Sequence, residues 1–326
     1  MLLSVLIPAR EEMFLAQTVR NVLENAQGET EVIAVLDGYE PEDPLPVDDR
    51  VKILRFAESI GQRAATNAAA MASEAKYVMK LDAHCAGGPG FDVILAGDCQ
   101  PDWTMVPAMW NLHSFDWRCM ACGNRTYQGS RPAACEKCQA IEFERIIVWK
   151  PRKGRLTLSW RFDSAMHFQY WKAHHRLPQW KDEPLVETMS CIGACMFLER
   201  DRYWALDGMD LGHGSWGQYG TEVAAKAWLS GGKLVTTRKT WFAHMFRTGN
   251  FNRDGEGSFP YPLPLEAQEH ARVYSRDLWK NGKWPKAVRS LSWLVERFWP
   301  VPGWTEADLQ EQRQRDGLAR THSVVY

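Results

Sequence analysis

Asp82-Ala83-His84 closes the apolar run from Tyr77 to Leu81, and a second histidine, His244, stands far along the chain in WFAHMFR. One carboxylate and two imidazoles suit a borderline-hard divalent cation, and three protein ligands leave coordination positions open. A cation held in this way binds a diphosphate and acts as a Lewis acid on a departing phosphate oxygen. A strand-end Asp is also an ordinary turn former, so Asp82 and His84 alone do not define such a site. Cysteine supplies the second set. Of eight cysteines, Cys119, Cys122, Cys135 and Cys138 form C-x2-C-x12-C-x2-C. Each C-x2-C turn offers two thiolates, and the intervening GNRTYQGSRPAA is expected to form a hairpin that joins the turns into a closed S4 shell for structural Zn2+. Two disulfides are the alternative. The start, MLLSVLIPAREE, has no basic leader and no small-residue cleavage site, so the expectation is a cytoplasmic, reducing setting and zinc. Cys191 and Cys195, in SCIGACMFL, read as small buried hydrophobes.

The elements that must position these residues are legible in the apolar pattern. Ser4 to Pro8, Glu31 to Leu36, Val51 to Phe56 and Tyr77 to Leu81 are short runs of the fully buried strand type. Between them lie a helical pattern with Leu15, Val19, Val22 and Leu23 on one face and an Ala-rich helix over Gly61 to Ala75. Alternating strands and helices predict an α/β fold with a mostly parallel sheet, whose ligands bind at the carboxyl ends of the strands. Asp37 and Asp82 both sit at such ends. Beyond the cysteines come the basic segment Trp149 to Arg155, the apolar block from Met189, a Gly-rich loop over 207–220, a helix after Glu222, a strand from Lys233 to Thr237, and two or three helices over 264–326. The expected division is an α/β half at 1–110, a zinc-ribbon insertion at 111–160, a second half at 161–262 and a helical extension at 263–326.

In order along the chain, SVLIPAREE, EVIAVLDGYEPED, VKILRFAESIGQRAATNAAA and LDAHC resemble the nucleotide-sugar half of the GT-A glycosyltransferases of family 2, and more closely the polypeptide N-acetylgalactosaminyltransferases. ETMSCIGACMFLERDRYWAL, SWGQYGTEVAAKAWLSGGKL and WFAHMFR are similar to the acceptor-side strand, the Trp-Gly loop with its helix, and the distal metal-binding His. The resemblance covers 3–96 and 187–248. It implies a transferase that takes a sugar from a nucleotide-sugar donor, a UDP-sugar by preference. Asp82, His84 and His244 would hold Mn2+ or Mg2+, and Asp37 would lie near the nucleoside. Arg63 would be near the diphosphate, with Pro8, Arg10 and Gly61 also at the donor. Trp216-Gly217 would open the loop over the sugar. The chain departs from the family at Tyr219, where an acid is usual, and at Gly220, where Asn or Asp is usual. Glu222 is then the remaining carboxylate of that motif, a catalytic base if the enzyme inverts or a sugar contact if it retains. A non-catalytic binding module of the same fold is the reading in which these departures mark lost chemistry.

Composition bears on the acceptor. The 326 residues are 45% apolar and 24% charged with a net charge of −1, but residues 1–100 carry 8 basic and 16 acidic residues while 101–160 carry 9 and 5. The basic excess is local, and it comes with Tyr127, Trp149 and Trp160 beside Lys150, Arg152, Lys153 and Arg155. Cations meet phosphates and rings stack on bases, which suits nucleic acid. The ribbon-bearing pattern looks like glycosyltransferases carried by phages, so the first expectation for the acceptor is a hydroxymethylated base in viral DNA, modified in the host cytoplasm. A protein or polysaccharide acceptor is the rival. No run approaches the roughly 18 apolar residues of a membrane span, and no obligate protein partner is expected. The 16 Trp exceed what a core of this size needs, and those from Trp279 to Trp304 read as packing.

Overall fold

The computed structural model of the protein describes residues 1–246 and 265–322. Strand β1 (Leu3–Ala9) is buried at every position. It pairs in parallel with β2 (Thr30–Asp37), which pairs in parallel with β3 (Val51–Phe56). Helix α1 (Leu15–Asn25) turns Leu15, Val19 and Val22 to the core, each side chain contributing about 1.5–3 kcal/mol by leaving water. Helix α2 (Gln62–Met71) buries Ala65, Ala69 and Ala70, small side chains that let it lie close on the sheet. Strand β4 (Tyr77–Leu81) lies parallel to β1 on its other side, in register from Leu3↔Tyr77 to Leu6↔Lys80. Parallel direction brings the carboxyl ends of β1, β2 and β4, and with them Pro8, Asp37 and Asp82, to one edge.

Past β4 the sheet is mixed and not mostly parallel. After β5 (Cys85–Gly87) and α3 (Phe91–Asp98), the 17-residue β6 (Trp103–Cys119) leaves the sheet as a projecting arm. β7 (Arg125–Tyr127) and the 15-residue β8 (Phe143–Thr157) pair antiparallel with it. β9 (Trp160–Phe162) and β10 (Phe168–Tyr170) form a separate ribbon, followed by α4 (Gln179–Asp182) and β11 (Leu185–Glu187). β12 (Cys195–Glu199) enters between β4 and β6 and is antiparallel to both. Helix α5 (Arg200–Ala205) and the Gly-rich loop lead to α6 (Tyr219–Leu229), which begins three residues before Glu222. β13 (Lys233–His244) does not stop at Thr237: an irregularity between Thr237 and Trp241 lets it resume pairing with β6. Its last residue, His244, thereby lies opposite Cys85.

Helices α7 (Leu265–Lys280), α8 (Leu291–Arg297) and α9 (Glu306–His322) make up the C-terminal extension. Trp279, Trp284 and Trp304 are buried there, as packing residues should be. The expected boundary between 262 and 263 lies outside the described residues, as do 264 and 323–326 of the expected helical stretch.

Candidate active site

A cavity of about 640 Å³ opens along the shared edge of β1, β2 and β4 and is walled on its far side by the 215–221 loop and helix start. At its floor Asp82, His84 and His244 bring one ligand atom each within 4.8 Å of one another. His84 Nε2 and His244 Nε2 are 3.1 Å apart, and His244 Nε2 is 3.3 Å from Asp82 Oδ2. Ligand atoms on adjacent vertices of an octahedron with bonds of roughly 2.1 Å are about 3 Å apart, so this set fits a small divalent ion. Burial pushes the His244 imidazole down to about 4 against the opposing bond to Asp82, which leaves it neutral and able to ligate near pH 7. Burial works to raise the Asp82 pKa, but the Lys80 ammonium, with His244 and His84, holds it well below the carboxylate range.

Two residues that support this set were not singled out from sequence. Glu12 is 4% exposed; its Oε2 lies 2.8 Å from His84 Nδ1 and its Oε1 accepts from Phe14 N at 3.1 Å. A carboxylate on the outer nitrogen fixes the tautomer that ligates through Nε2. Lys80 donates to Asp82 Oδ1 and, at 2.6 Å, to the carbonyl of Gly193. A single charge inside the apolar run Tyr77–Leu81 was the signal for it.

Pro8, Arg10, Asp37 and Gly61, the residues assigned to the donor, line the cavity. The Asp37 carboxylate is committed to the following turn, accepting from Ser59 Oγ at 2.8 Å, Ile60 N at 2.6 Å and Gly61 N at 3.1 Å. Gly61 has φ +88°, and a Cβ there would lie 3.1 Å from Ser215 Cα, so the donor-side turn and the opposite loop approach at a residue with no side chain. Trp216 and Gly217 line the cavity beside them.

Arg63 and Glu222 are corrections. Neither lines the cavity; Arg63 is 1% and Glu222 0% exposed. Arg63 donates to Glu222 Oε2 (2.8 Å), Gly214 O (3.3 Å) and Gly217 O (2.7 Å), so it is buried beneath the 214–217 loop and presents no surface to a diphosphate in the cavity. Glu222 accepts also from Lys226 Nζ at 2.9 Å and Asp210 N at 2.6 Å. Burial would raise its pKa, but the charges of Lys226 and Arg63 outweigh it and hold it low. A carboxylate so buried and charge-paired stands apart from the cavity in which a base or a sugar contact would act. Both residues were in register with the family motif, and their burial by the 210–217 loop has no local sequence sign. Tyr219, in place of the usual acid, does line the cavity and puts its ring over Lys80, 4.7 Å from Nζ to centroid.

At the end of the arm, Cys119 Sγ and Cys138 Sγ are 3.6 Å apart, as are Cys122 Sγ and Cys135 Sγ. A ZnS4 tetrahedron has edges of about 3.8 Å, so the four thiols fit zinc. Gly123 (φ +71°) and Gln139 (φ +62°) each turn the chain just after the second Cys of a pair. All eight cysteines are free thiols, and Cys191 and Cys195 are buried among apolar side chains. The ladder that joins the two turns comes mainly from β6 and β8 outside the cysteines, ending at Cys119↔Phe143; of the intervening residues, Arg125–Tyr127 form a strand. Trp160 is fully buried and offers no ring to a ligand. Trp149 is half-buried and packs on Phe14 at 5.7 Å. Tyr127 is exposed, with the Arg152 guanidinium 4.5 Å from its ring and Lys150 opposite His113 on the same ladder. The side chains of Lys153 and Arg155 lie outside the described residues. Among the described residues, no helix is long and apolar enough to cross a membrane.

This architecture matches solved structures. The crystal structure of GalNAc-T7 with UDP, GalNAc and Mn2+ superposes with a TM-score of 0.59 at 16% identity, covering 97% of this chain. The chain spans 55% of that protein's length. S. aureus TarS 1-349 in complex with UDP-GlcNAc gives a TM-score of 0.45 at 11% identity, over 97% of this chain and 72% of that one. No curated protein sequence matches. The family model described as glycosyl transferase family 2 matches residues 4–176, more than half of the sequence, and the chain belongs to glycosyl transferase family 2.

Proposed function

We propose that this protein is a metal-dependent glycosyltransferase that moves a sugar from a UDP-sugar to an acceptor hydroxyl. The observation that carries the reading is the Asp82, His84 and His244 set on the floor of a cavity bounded by the Asp37 turn and the Trp216 loop. The solved relative named for its complex with UDP, GalNAc and Mn2+ supports UDP and Mn2+, with Mg2+ as the alternative ion. Asp82, His84 and His244 hold the ion, Glu12 orients His84, and Trp216-Gly217 close over the sugar and exclude water. When bound, the ion neutralises the charge that develops on the leaving diphosphate. The cavity carboxylates Glu12, Asp37 and Asp82 are all engaged, which favours retention, with the acceptor proton passing to the leaving diphosphate. An inverted product would instead assign that proton to His167, the cavity's remaining imidazole among the described residues.

The spacing and separation of the four thiols support zinc in the cysteine cluster, and with zinc we read a reducing, cytoplasmic setting. For the acceptor, the exposed Tyr127 and Arg152 pair beside Lys150 favours an anionic, ring-bearing molecule, and a hydroxymethylated DNA base is the reading we adopt. The test is Mn2+-dependent turnover of a UDP-sugar panel, with and without hydroxymethylated DNA. The expected result is transfer to DNA from one donor, with anomeric configuration read by NMR. Turnover that ignores DNA would move the acceptor to protein or polysaccharide, and no turnover of any donor would leave a binding module.

A further inference from the structure

Strand β4 is buried along its whole length, yet its fourth residue is a lysine with no exposed surface. An ammonium in such a place persists only where charge and hydrogen bonds satisfy it. Lys80 finds both in Asp82 Oδ1 and Gly193 O, and the Tyr219 ring faces it at 4.7 Å. An aromatic face steadies a cation without adding negative charge. The Asp82 carboxylate is thereby divided: Oδ1 accepts from Lys80 and, at 3.1 Å, from Gln62 Nε2, while Oδ2 is left facing His244.

The division has a geometric and an electrostatic consequence. Asp82 can offer an ion one oxygen but not two. Its charge is also opposed at contact distance by the Lys80 ammonium, and Glu12 acts on the set from behind an imidazole. Affinity for a hard divalent cation follows the number of negative ligands. This set, alone, brings little net negative charge to a dication, and a donor diphosphate would add to it.

We infer that Lys80 is a positioning residue that holds Asp82 as a single-oxygen, charge-opposed ligand and so makes metal binding depend on the donor's diphosphate. The inference rests on the reading of Asp82, His84 and His244 as metal ligands. It is tested by titrating Mn2+, counted by electron paramagnetic resonance, into the full chain with and without UDP. The wild type is expected to bind Mn2+ at least about tenfold more tightly with UDP, a coupling factor that UDP affinity must mirror. Lys80→Met should bind Mn2+ alone about tenfold more tightly than the wild type, with coupling reduced by a similar factor. A merely structural lysine would not produce that gain. Lys80→Met, or Lys80→Gln should the first not fold, that is folded by near-UV circular dichroism and binds Mn2+ alone no more tightly overturns the inference and leaves the metal reading intact. A wild-type coupling below about twofold overturns it without any variant. Failure of the wild type to bind Mn2+ with or without UDP overturns the metal reading as well.

Discussion

Arg63 Nε donates to Glu222 Oε2 at 2.8 Å across 159 residues of sequence, and neither side chain reaches solvent. The same guanidinium ties the carbonyls of Gly214 and Gly217, so the pair fastens the Trp216 loop to α2. Breaking a buried ion pair by removing one partner costs roughly 3–5 kcal/mol, because the other charge is stranded. Glu222→Gln and Arg63→Met should each lower the urea midpoint by a corresponding amount. A Glu222→Gln protein of wild-type stability whose turnover collapses would restore Glu222 to the catalytic role that its place in the motif suggests.

Glu12 should matter through His84. Removing a carboxylate that holds a ligating imidazole typically weakens metal binding by about 10–100-fold. Glu12→Gln is therefore expected to weaken Mn2+ binding in the presence of UDP by that factor, with circular dichroism unchanged. Unaltered Mn2+ affinity would mean that the 2.8 Å contact has no bearing on the ligand.

The cysteine cluster predicts one zinc per chain by elemental analysis. Cys119→Ser should lose it and loosen the arm, and a strong chelator should do the same to the wild type, because the metal's binding energy is folding energy for the turns it joins. Trp117 and Trp149 lie along that arm, so near-UV circular dichroism reports the change while the far-UV signal of the sheet persists. Purified protein without zinc would remove the assignment.

His174 makes stability sensitive to acid. Its ring packs on Trp171, Trp180 and Phe298, and burial, with the neighbouring His175 charge, pushes its pKa down to about 4. The unfolded chain takes up that proton near 6.5, so the contribution is fully present above about pH 6.5 and is lost as pH falls toward 4, to a total of about 3 kcal/mol. His174→Gln should flatten the fall in urea midpoint between pH 6.5 and 4. A variant whose midpoint falls as steeply as the wild type's would place the acid sensitivity elsewhere.

Strands β1, β2, β3 and β4 and the Asp82, His84 set were legible because buried strands and strand-end acids are local patterns. His244 was assigned through the family motif, but its route to the site, an interrupted β13 that resumes beside β5, depends on pairing that periodicity does not encode. Arg63 and Glu222 went astray for a related reason. A charged residue at a helix start reads as solvent-facing or functional, and it becomes a buried clamp only when the 210–217 loop folds over it. The direction of β12 was likewise hidden, since an apolar run looks the same read either way across a sheet. Trp160 was misread as a stacking ring because its burial is set by the chain around it.

At Gly220, a Cβ would lie 1.9 Å from the carbonyl oxygen of Cys191 and 2.9 Å from Gly193 N. The first turn of α6 has thus settled onto the backbone of the 191–193 loop, into the volume that a side chain would occupy. Restoring the Asn or Asp usual at this position demands that two backbones part before the new side chain can do anything useful, so simple reversion first meets a loss. A polar group on this part of the cavity wall must therefore come from another position, because the backbone contact at Gly220 leaves no room for one there.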